Sequence, residues 1–133
     1  MSLPHPTTGR CQTRADAHAA LLLAAGSPST LAVGTLDHDR RPLVMLVVER
    51  CPCTRADVLL VVEGVMAAVP DRRFDAMVLA THGEILGAHA ELEMWRGMAR
   101  RCSLAGVALL DWLVIDGDGA CSVPALWDEL PVW

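Results

Sequence analysis

Apolar residues fall into short blocks separated by polar turns, Gly and Pro, and the blocks predict eight helices and strands along the chain. Ala- and Leu-rich blocks, or blocks with apolar residues at helical spacing, predict three helices: 14–25, 54–68 and 90–105. Short blocks that are β-branched or almost wholly apolar predict five strands: 30–36, 43–49, 74–80, 107–115 and 120–123. The order α-β-β-α-β-α-β-β indicates a single three-layer α/β domain with a mixed sheet.

Local signals place the ends of these elements. Thr54 followed by Asp57 is a capping box for the second helix, and Gly106 stands where the third helix should end. We expect residues 1–13 to form a flexible tail, 14–123 to form the domain, and 124–133 to be an apolar tail that packs on something.

Composition narrows the function classes. The chain has 133 residues, a net charge of −5 and 53% apolar residues, so it is long and apolar enough for one folded domain. Its acidic balance disfavours a nucleic-acid or anionic-membrane binder, and no apolar run of about 18 residues predicts a membrane span. All 11 basic residues are Arg, which excludes the Lys of phosphate loops and Schiff bases. Five irregularly spaced Cys and no signal-peptide core predict a reduced, cytoplasmic protein.

Several segments, taken in order, resemble the RadC-type JAB/MPN domain, whose fold is related in topology to the cytidine deaminases. Leu36-Asp37 matches a Leu-Asp pair that opens a hairpin turn in that family, and 54–59 is similar to its Pro-Arg-Glu-Val-Leu helix start. Residues 77–83 stand where a buried strand leads into a His-x-His-Pro-Ser-Gly loop, and 107–115 is similar to the final Leu-Leu-Asp-His strand. The resemblance covers roughly residues 30–123 and implies a cytidine-deaminase-like topology.

The chemistry that the resemblance implies is a hydrolytic zinc site. The family holds the metal with two loop His and a helix Asp, and an upstream Glu acts on the metal-bound water. Here the two loop positions fall at Ala80 and His82, and the helix position falls at Glu91. The upstream Glu falls near Leu46, with Glu49 as the nearby acid. The resemblance therefore implies a degenerate metal motif, and a standard metalloprotease of this family is not expected.

A rearranged zinc site is the alternative. His82, His89 and Glu91 lie around one predicted loop, and Glu84 stands between them as a candidate base. The competing interpretation is a polar loop with solvated His side chains. A zinc deaminase would need Pro-Cys-x-x-Cys after its His-x-Glu, whereas Cys51-Pro52-Cys53 comes before it with the wrong spacing.

These observations lead to three hypotheses of function. The first is a non-catalytic RadC/JAB-like domain that acts through protein contacts as a homodimer, without a cofactor. Trp127 and Trp133 in the C-terminal tail are its candidate interface residues, and they dock either on this domain or on a second copy. The second is a zinc-dependent hydrolase with the rearranged site. The third is a DNA-repair-associated nucleic-acid accessory, suggested by the family's name and by Arg pairs such as Arg72-Arg73, although nucleic acid is the less expected partner.

Overall fold

The structure is a computed structural model that describes residues 14–25, 30–51, 53–68, 74–83, 89–117 and 119–131. The described residues contain four helices: α1 (Arg14–Ala24), α2 (Arg55–Ala68), α3 (His89–Leu104) and α4 (Val123–Leu126). They also contain five strands: β1 (Leu31–Leu36), β2 (Pro42–Val48), β3 (Ala76–His82), β4 (Ala108–Asp116) and β5 (Gly119–Ser122). The predicted α/β class with one mixed sheet is confirmed.

The five strands form one sheet in the order β2-β1-β3-β4-β5. β1 runs antiparallel to both of its neighbours, β3 and β4 are parallel, and β5 returns antiparallel to β4. The central strands β1 and β3 are buried along nearly their whole length, because helices cover both faces of the sheet there. β2 and β5 are the edge strands.

One face of the sheet packs against α1. The helix presents Ala17, Leu21 and Ala25, spaced four residues apart, to the sheet. Small residues such as Ala32, Ala76 and Ala80 face it from the strands, so the helix and the sheet approach closely. The other face carries the larger core, to which α2, α3 and α4 contribute and which contains the aromatic side chains Phe74, Trp95 and Trp112.

The predicted helix start at Thr54 is confirmed by its hydrogen bonds. The Thr54 hydroxyl accepts the backbone N–H of Asp57 at 3.2 Å and donates to the Asp57 carboxylate at 2.7 Å. The C-terminal segment differs from expectation: β5 ends at Ser122, and Val123–Leu126 form a short helix with Ser122 as its N-cap. Val123 is fully buried, so this turn belongs to the core.

No helix in the described ranges is long and apolar enough to cross a membrane. This agrees with the sequence, in which no apolar run reaches the length of a bilayer span.

Candidate functional site

A fully buried carboxylate lies in the middle of the sheet. In the pairing of β3 with β4, Met77 faces Leu109 but the next residue, Val78, faces Asp111, so β4 has an extra residue at a β-bulge. Because of the bulge, Leu110 and Asp111 both reach the α1 side, where Leu110 joins the smaller core cluster and Asp111 meets α1. The bulge therefore directs the Asp111 side chain into the apolar layer between α1 and the sheet.

Three groups surround the Asp111 carboxylate. The His18 imidazole Nε2 on α1 lies 2.5 Å from Oδ2, while Oδ1 accepts the Trp112 backbone N–H at 2.9 Å and the Ser122 hydroxyl at 2.7 Å. Ser122 Oγ also accepts the Ala125 backbone N–H at 3.3 Å, which caps α4. A buried carboxylate is costly without such partners, so the arrangement explains how β4 tolerates it.

The order of these groups decides their chemistry. In a nucleophilic triad the imidazole stands between the serine and the acid, whereas here the carboxylate of Asp111 stands between His18 and Ser122. The hydroxyl proton of Ser122 points to the acid, so the imidazole is not placed to remove it. The group is a junction that ties α1, β4 and the start of α4 together.

Sequence reasoning did not single out this junction, although a signal for it exists. Asp111 is the one charged residue in the otherwise apolar run 107–115, and a buried acid needs a partner. His18 interrupts an Ala- and Leu-rich helix in a similar way. The two residues are 93 positions apart, and only the packing of α1 on the sheet brings them together.

The predicted zinc ligands are placed separately. His82 ends β3, and its Nε2 donates to the carbonyl of Ala25 at 2.6 Å, so its ring holds the C-terminal end of α1. His89 is exposed at the first turn of α3, where its ring lies 3.8 Å from the Glu93 carboxylate. Glu91, also on α3, is half-buried. These contacts give His82 and His89 partners other than a shared metal.

Of the two candidate bases, one lies in the described part of the chain. Glu49 is exposed in the turn after β2, and Glu84 falls outside the described residues. In the part of the chain that the structure describes, one group of three possible metal ligands lies close together: Asp37, His38 and Asp39. Their ligand atoms all lie within 4.8 Å of one another. The rearranged zinc site therefore stays a prediction.

The Asp37-His38-Asp39 group is accounted for by its turn. Asp37 Oδ1 accepts the backbone N–H groups of Asp39 at 2.8 Å and Arg41 at 2.9 Å, which closes the connection between β1 and β2. The hydrogen bond from the Arg41 backbone holds the pKa of Asp37 below its usual value. Asp37 is thus engaged in shaping the hairpin.

Two cysteine thiols, those of Cys53 and Cys102, are poorly acidic. Burial raises the pKa of Cys53 to about 11, and the nearby Cys51 adds to the rise. Burial raises the pKa of Cys102 to about 11 as well. Because the thiolate is the nucleophile and the metal ligand, these positions disfavour thiol chemistry at neutral pH.

The most unusual surface of the described chain is β2. Its five consecutive residues Leu43, Val44, Met45, Leu46 and Val47 are apolar, and they are 38–63% exposed. We call these five residues the β2 surface. α1 packs against β1 and β3, and the larger core reaches β2 only at its last residue, Val48, so both faces of β2 stay largely open. An exposed apolar edge strand is a template for pairing with another chain.

Trp127, a predicted interface residue, is half-buried and packs against the larger core of its own domain. Its ring also meets the His89 ring edge-on, with centroids 6.2 Å apart. Trp133, the other predicted interface residue, lies outside the described residues.

No protein-family model matches the chain, and a search of curated proteins finds no relative of it. The geometry described above therefore carries the functional argument.

Proposed function

We propose that this chain is a non-catalytic, RadC/JAB-like α/β domain that works through protein–protein contacts, with the β2 surface as its contact element. The observation that carries the proposal is the five-residue apolar run of β2, exposed at 38–63% per side chain at the edge of the sheet. Monomeric proteins rarely leave a contiguous apolar patch of more than a few hundred Å² in water.

The proposed RadC/JAB-like fold rests on the order of the helices and strands and on one sequence segment. Helices and strands follow one another as α1-β1-β2-α2-β3-α3-β4-β5-α4, and residues 107–115, the best match to the RadC type, supply the buried strand β4. The mixed sheet, with helices on both faces, supports a cytidine-deaminase-like topology.

The non-catalytic part rests on how the chemically capable side chains are used. His18 and Ser122 both bond to Asp111, and His82 bonds to a backbone carbonyl. These hydrogen bonds give each of the three side chains a role in holding the fold together, which supports a structural use of them. The net charge of −5 disfavours the nucleic-acid alternative.

Edge strands bind partners by strand addition. The partner's backbone hydrogen-bonds to the free edge, while its alternate side chains contact the two faces of the strand. β2 offers apolar side chains on both faces, so we expect an extended, apolar partner segment.

A peptide selection tests this proposal. Peptides are selected from a random display library against the full chain and ranked by affinity for the wild type and for Val44→Lys/Leu46→Lys. The control is Leu60→Lys/Leu104→Lys, which adds the same charge at Leu side chains exposed by 72% and 81% on α2 and α3. We expect apolar extended peptides whose affinity falls at least about ten-fold in the β2 variant alone, because charge at the strand opposes burial. Peptides equally sensitive to both variants, or no peptide at all, would contradict the proposal.

Zinc content tests the non-catalytic part. The protein is purified without chelator or added metal, and its zinc is measured by elemental analysis beside His82→Ala. We expect far less than one zinc per chain in both. Near-stoichiometric zinc in the wild type that is lost in the variant would replace the proposal with the zinc hydrolase.

A further inference from the structure

We propose that the occupant of the β2 surface is a second copy of this chain, joined by antiparallel β2–β2 pairing about a two-fold axis at Met45. This inference rests on the proposed function, because it names the partner of the same surface. It would extend the sheet from five strands in one copy to ten across the pair.

The backbone of β2 has the right polarity for this pairing. The Val44 N–H donates to Thr35 Oγ1 at 3.1 Å, and the Val44 carbonyl accepts from the same hydroxyl at 3.2 Å. The backbone groups of Val44 therefore point inward to β1. Since these groups alternate along a strand, those of Met45 and Val47 point outward from the sheet edge.

Met45 is also the centre of the strand, which runs over seven residues from Pro42 to Val48. A two-fold axis at this outward-pointing residue places Val44, Met45 and Leu46 of the two copies opposite one another. Beyond them Leu43, the extra residue at a bulge in the pairing of β2 with β1, interrupts the regular alternation. Met45 then exchanges two backbone hydrogen bonds with its symmetry mate. No other residue of β2 combines the central position with an outward backbone.

The side chains match in this register. Val44 of one copy lies opposite Leu46 of the second, twice per dimer, so these exposed apolar side chains meet other apolar side chains. Met45 already leans over Gly34, and its methyl group would lie 3.4 Å from a Cβ built there. This contact turns the Met45 side chain toward β1, so Met45 contributes to the pair through its backbone.

The charges that flank the strand are complementary in the same register. Arg41 precedes β2, Glu49 follows it, and both are exposed. With the axis at Met45, each is four residues from the centre, on opposite sides. Arg41 of one copy therefore lies at the same end of the pairing as Glu49 of the second, twice per dimer, so opposite charges face each other at both ends.

These features favour a second copy over an unrelated segment, because the surface is complementary to itself. A contact through one short strand is smaller than the roughly 800 Å² per partner that a standard interface buries. We therefore expect a reversible dimer with a dissociation constant in the micromolar range.

Disulfide trapping tests the register. Met45→Cys puts two thiols opposite each other with Cα atoms about 5.5 Å apart, within the range a disulfide spans. Val47→Cys is the matched control, since Val47 is 40% exposed against 38% for Met45 and also has an outward backbone. In the proposed dimer its symmetry mates are about 13 Å apart along the strand. Under mild oxidation and mass spectrometry, we expect Met45→Cys to give a peptide pair disulfide-linked through position 45. Val47→Cys should give no pair linked through position 47.

A charge exchange tests the flanking pairs. The dissociation constant of the dimer is measured by sedimentation equilibrium of the full chain. It should rise on the order of ten-fold in Arg41→Glu and in Glu49→Arg, because each change replaces two ion pairs with two like-charge pairs. The double variant Arg41→Glu/Glu49→Arg should return near the wild-type value. An effect of Arg41→Glu on its own hairpin turn would persist in the double variant, so the rescue is specific to the pair.

The outcomes separate this inference from the proposed function. A chain that stays monomeric at about 200 μM, or that cross-links equally through both introduced thiols, overturns the β2–β2 dimer. If β2-dependent peptide binding is nevertheless found, the protein-binding function stands with a different partner. Protection of the Met45 and Val47 amides from hydrogen exchange that does not change with protein concentration would show that the chain covers its own strand, and would also overturn the dimer.

Discussion

Removal of the His18 side chain tests whether the Asp111 junction holds α1 on the sheet. Asp111 is fully buried, and its Oδ2 has His18 Nε2 at 2.5 Å. Removing one hydrogen-bond partner of a buried polar group costs about 1–3 kcal/mol, and more where that group is charged. Here the acid keeps hydrogen bonds to Trp112 and Ser122. The His18 side chain is 29% exposed, so water partly replaces it.

We therefore expect His18→Ala to lower the free energy of unfolding by about 2 kcal/mol, after a gain of about 0.5 kcal/mol from the better helix propensity of Ala. With a urea m-value of about 1.5 kcal/mol/M, the midpoint should fall by a little over 1 M. Intrinsic Trp fluorescence reports the transition, because Trp95 and Trp112 are buried in the core. Asp111→Ala should cost more, about 3–4 kcal/mol, since it also leaves the Ser122 hydroxyl and the Trp112 N–H without their acceptor.

A double-mutant cycle isolates the contact itself. The variant His18→Ala/Asp111→Ala should be more stable than the sum of the single effects predicts, by about 1.5 kcal/mol. His38→Ala is the control, because its ring faces Asp39 at 3.2 Å on the surface, with the two side chains 74% and 49% exposed. That variant should leave the midpoint unchanged. Additive effects of His18→Ala and Asp111→Ala, or a loss below about 0.5 kcal/mol for His18→Ala, would refute the junction.

Three further predictions concern single contacts. Backbone hydrogen bonds, led by that of Arg41, hold the pKa of Asp37 below 3.8, so its ionised form stabilises the fold above that pH. The urea midpoint of Asp37→Asn should lie below the wild type's at about pH 6, and the difference should disappear as the pH falls through the lowered pKa; a constant difference would contradict this. Thr81→Val should cost about 1–2 kcal/mol in urea unfolding, because the buried Trp112 indole N–H loses its acceptor, Thr81 Oγ1, at 2.9 Å; a neutral result would contradict this. Burial raises the pKa of Cys102 to about 11, so its alkylation at about pH 8 should be slow until the chain is unfolded; rapid labelling of folded protein, located by mass spectrometry, would contradict it.

The elements were readable from local patterns because local chemistry determines them. Thr54 and Asp57 form a capping box within four residues of sequence, so the start of α2 needed no tertiary information. The almost wholly apolar block of β3 indicated a strand covered on both faces, and it is buried there. The turn at residues 37–41 is also a local feature, because the Asp37 carboxylate accepts hydrogen bonds from the backbone N–H groups two and four positions later.

The end of the sheet was harder to predict. A returning strand was expected through Val123, but Ser122 caps a helical turn instead. A Ser followed two positions later by Pro is an N-terminal helix signal, which competes with the short strand pattern before it. Val123, which was expected to end that strand, begins the short helix α4 and is buried in the larger core.

The candidate site shows the limit of pattern reading most clearly. Proximity along the chain predicts that His82, His89 and Glu91 act together, and this stays a prediction; in the structure His82 bonds to the Ala25 carbonyl and His89 lies beside Glu93. The contact between His18 and Asp111 joins residues 93 positions apart and depends on a β-bulge that no periodicity predicts. Such partnerships arise from the packing of whole elements.

By itself, the sequence determined the α/β class, most element boundaries, the acidic balance and the lack of Lys chemistry, since propensity, capping and charge act over a few residues. The tertiary structure alone decided which apolar strand remains exposed. β1 and β2 are both apolar in sequence, but β1 lies between two strands and under helices, while β2 lies at the edge beyond their reach. Burial depends on what packs against a residue, so the β2 surface could be recognised only in the folded chain.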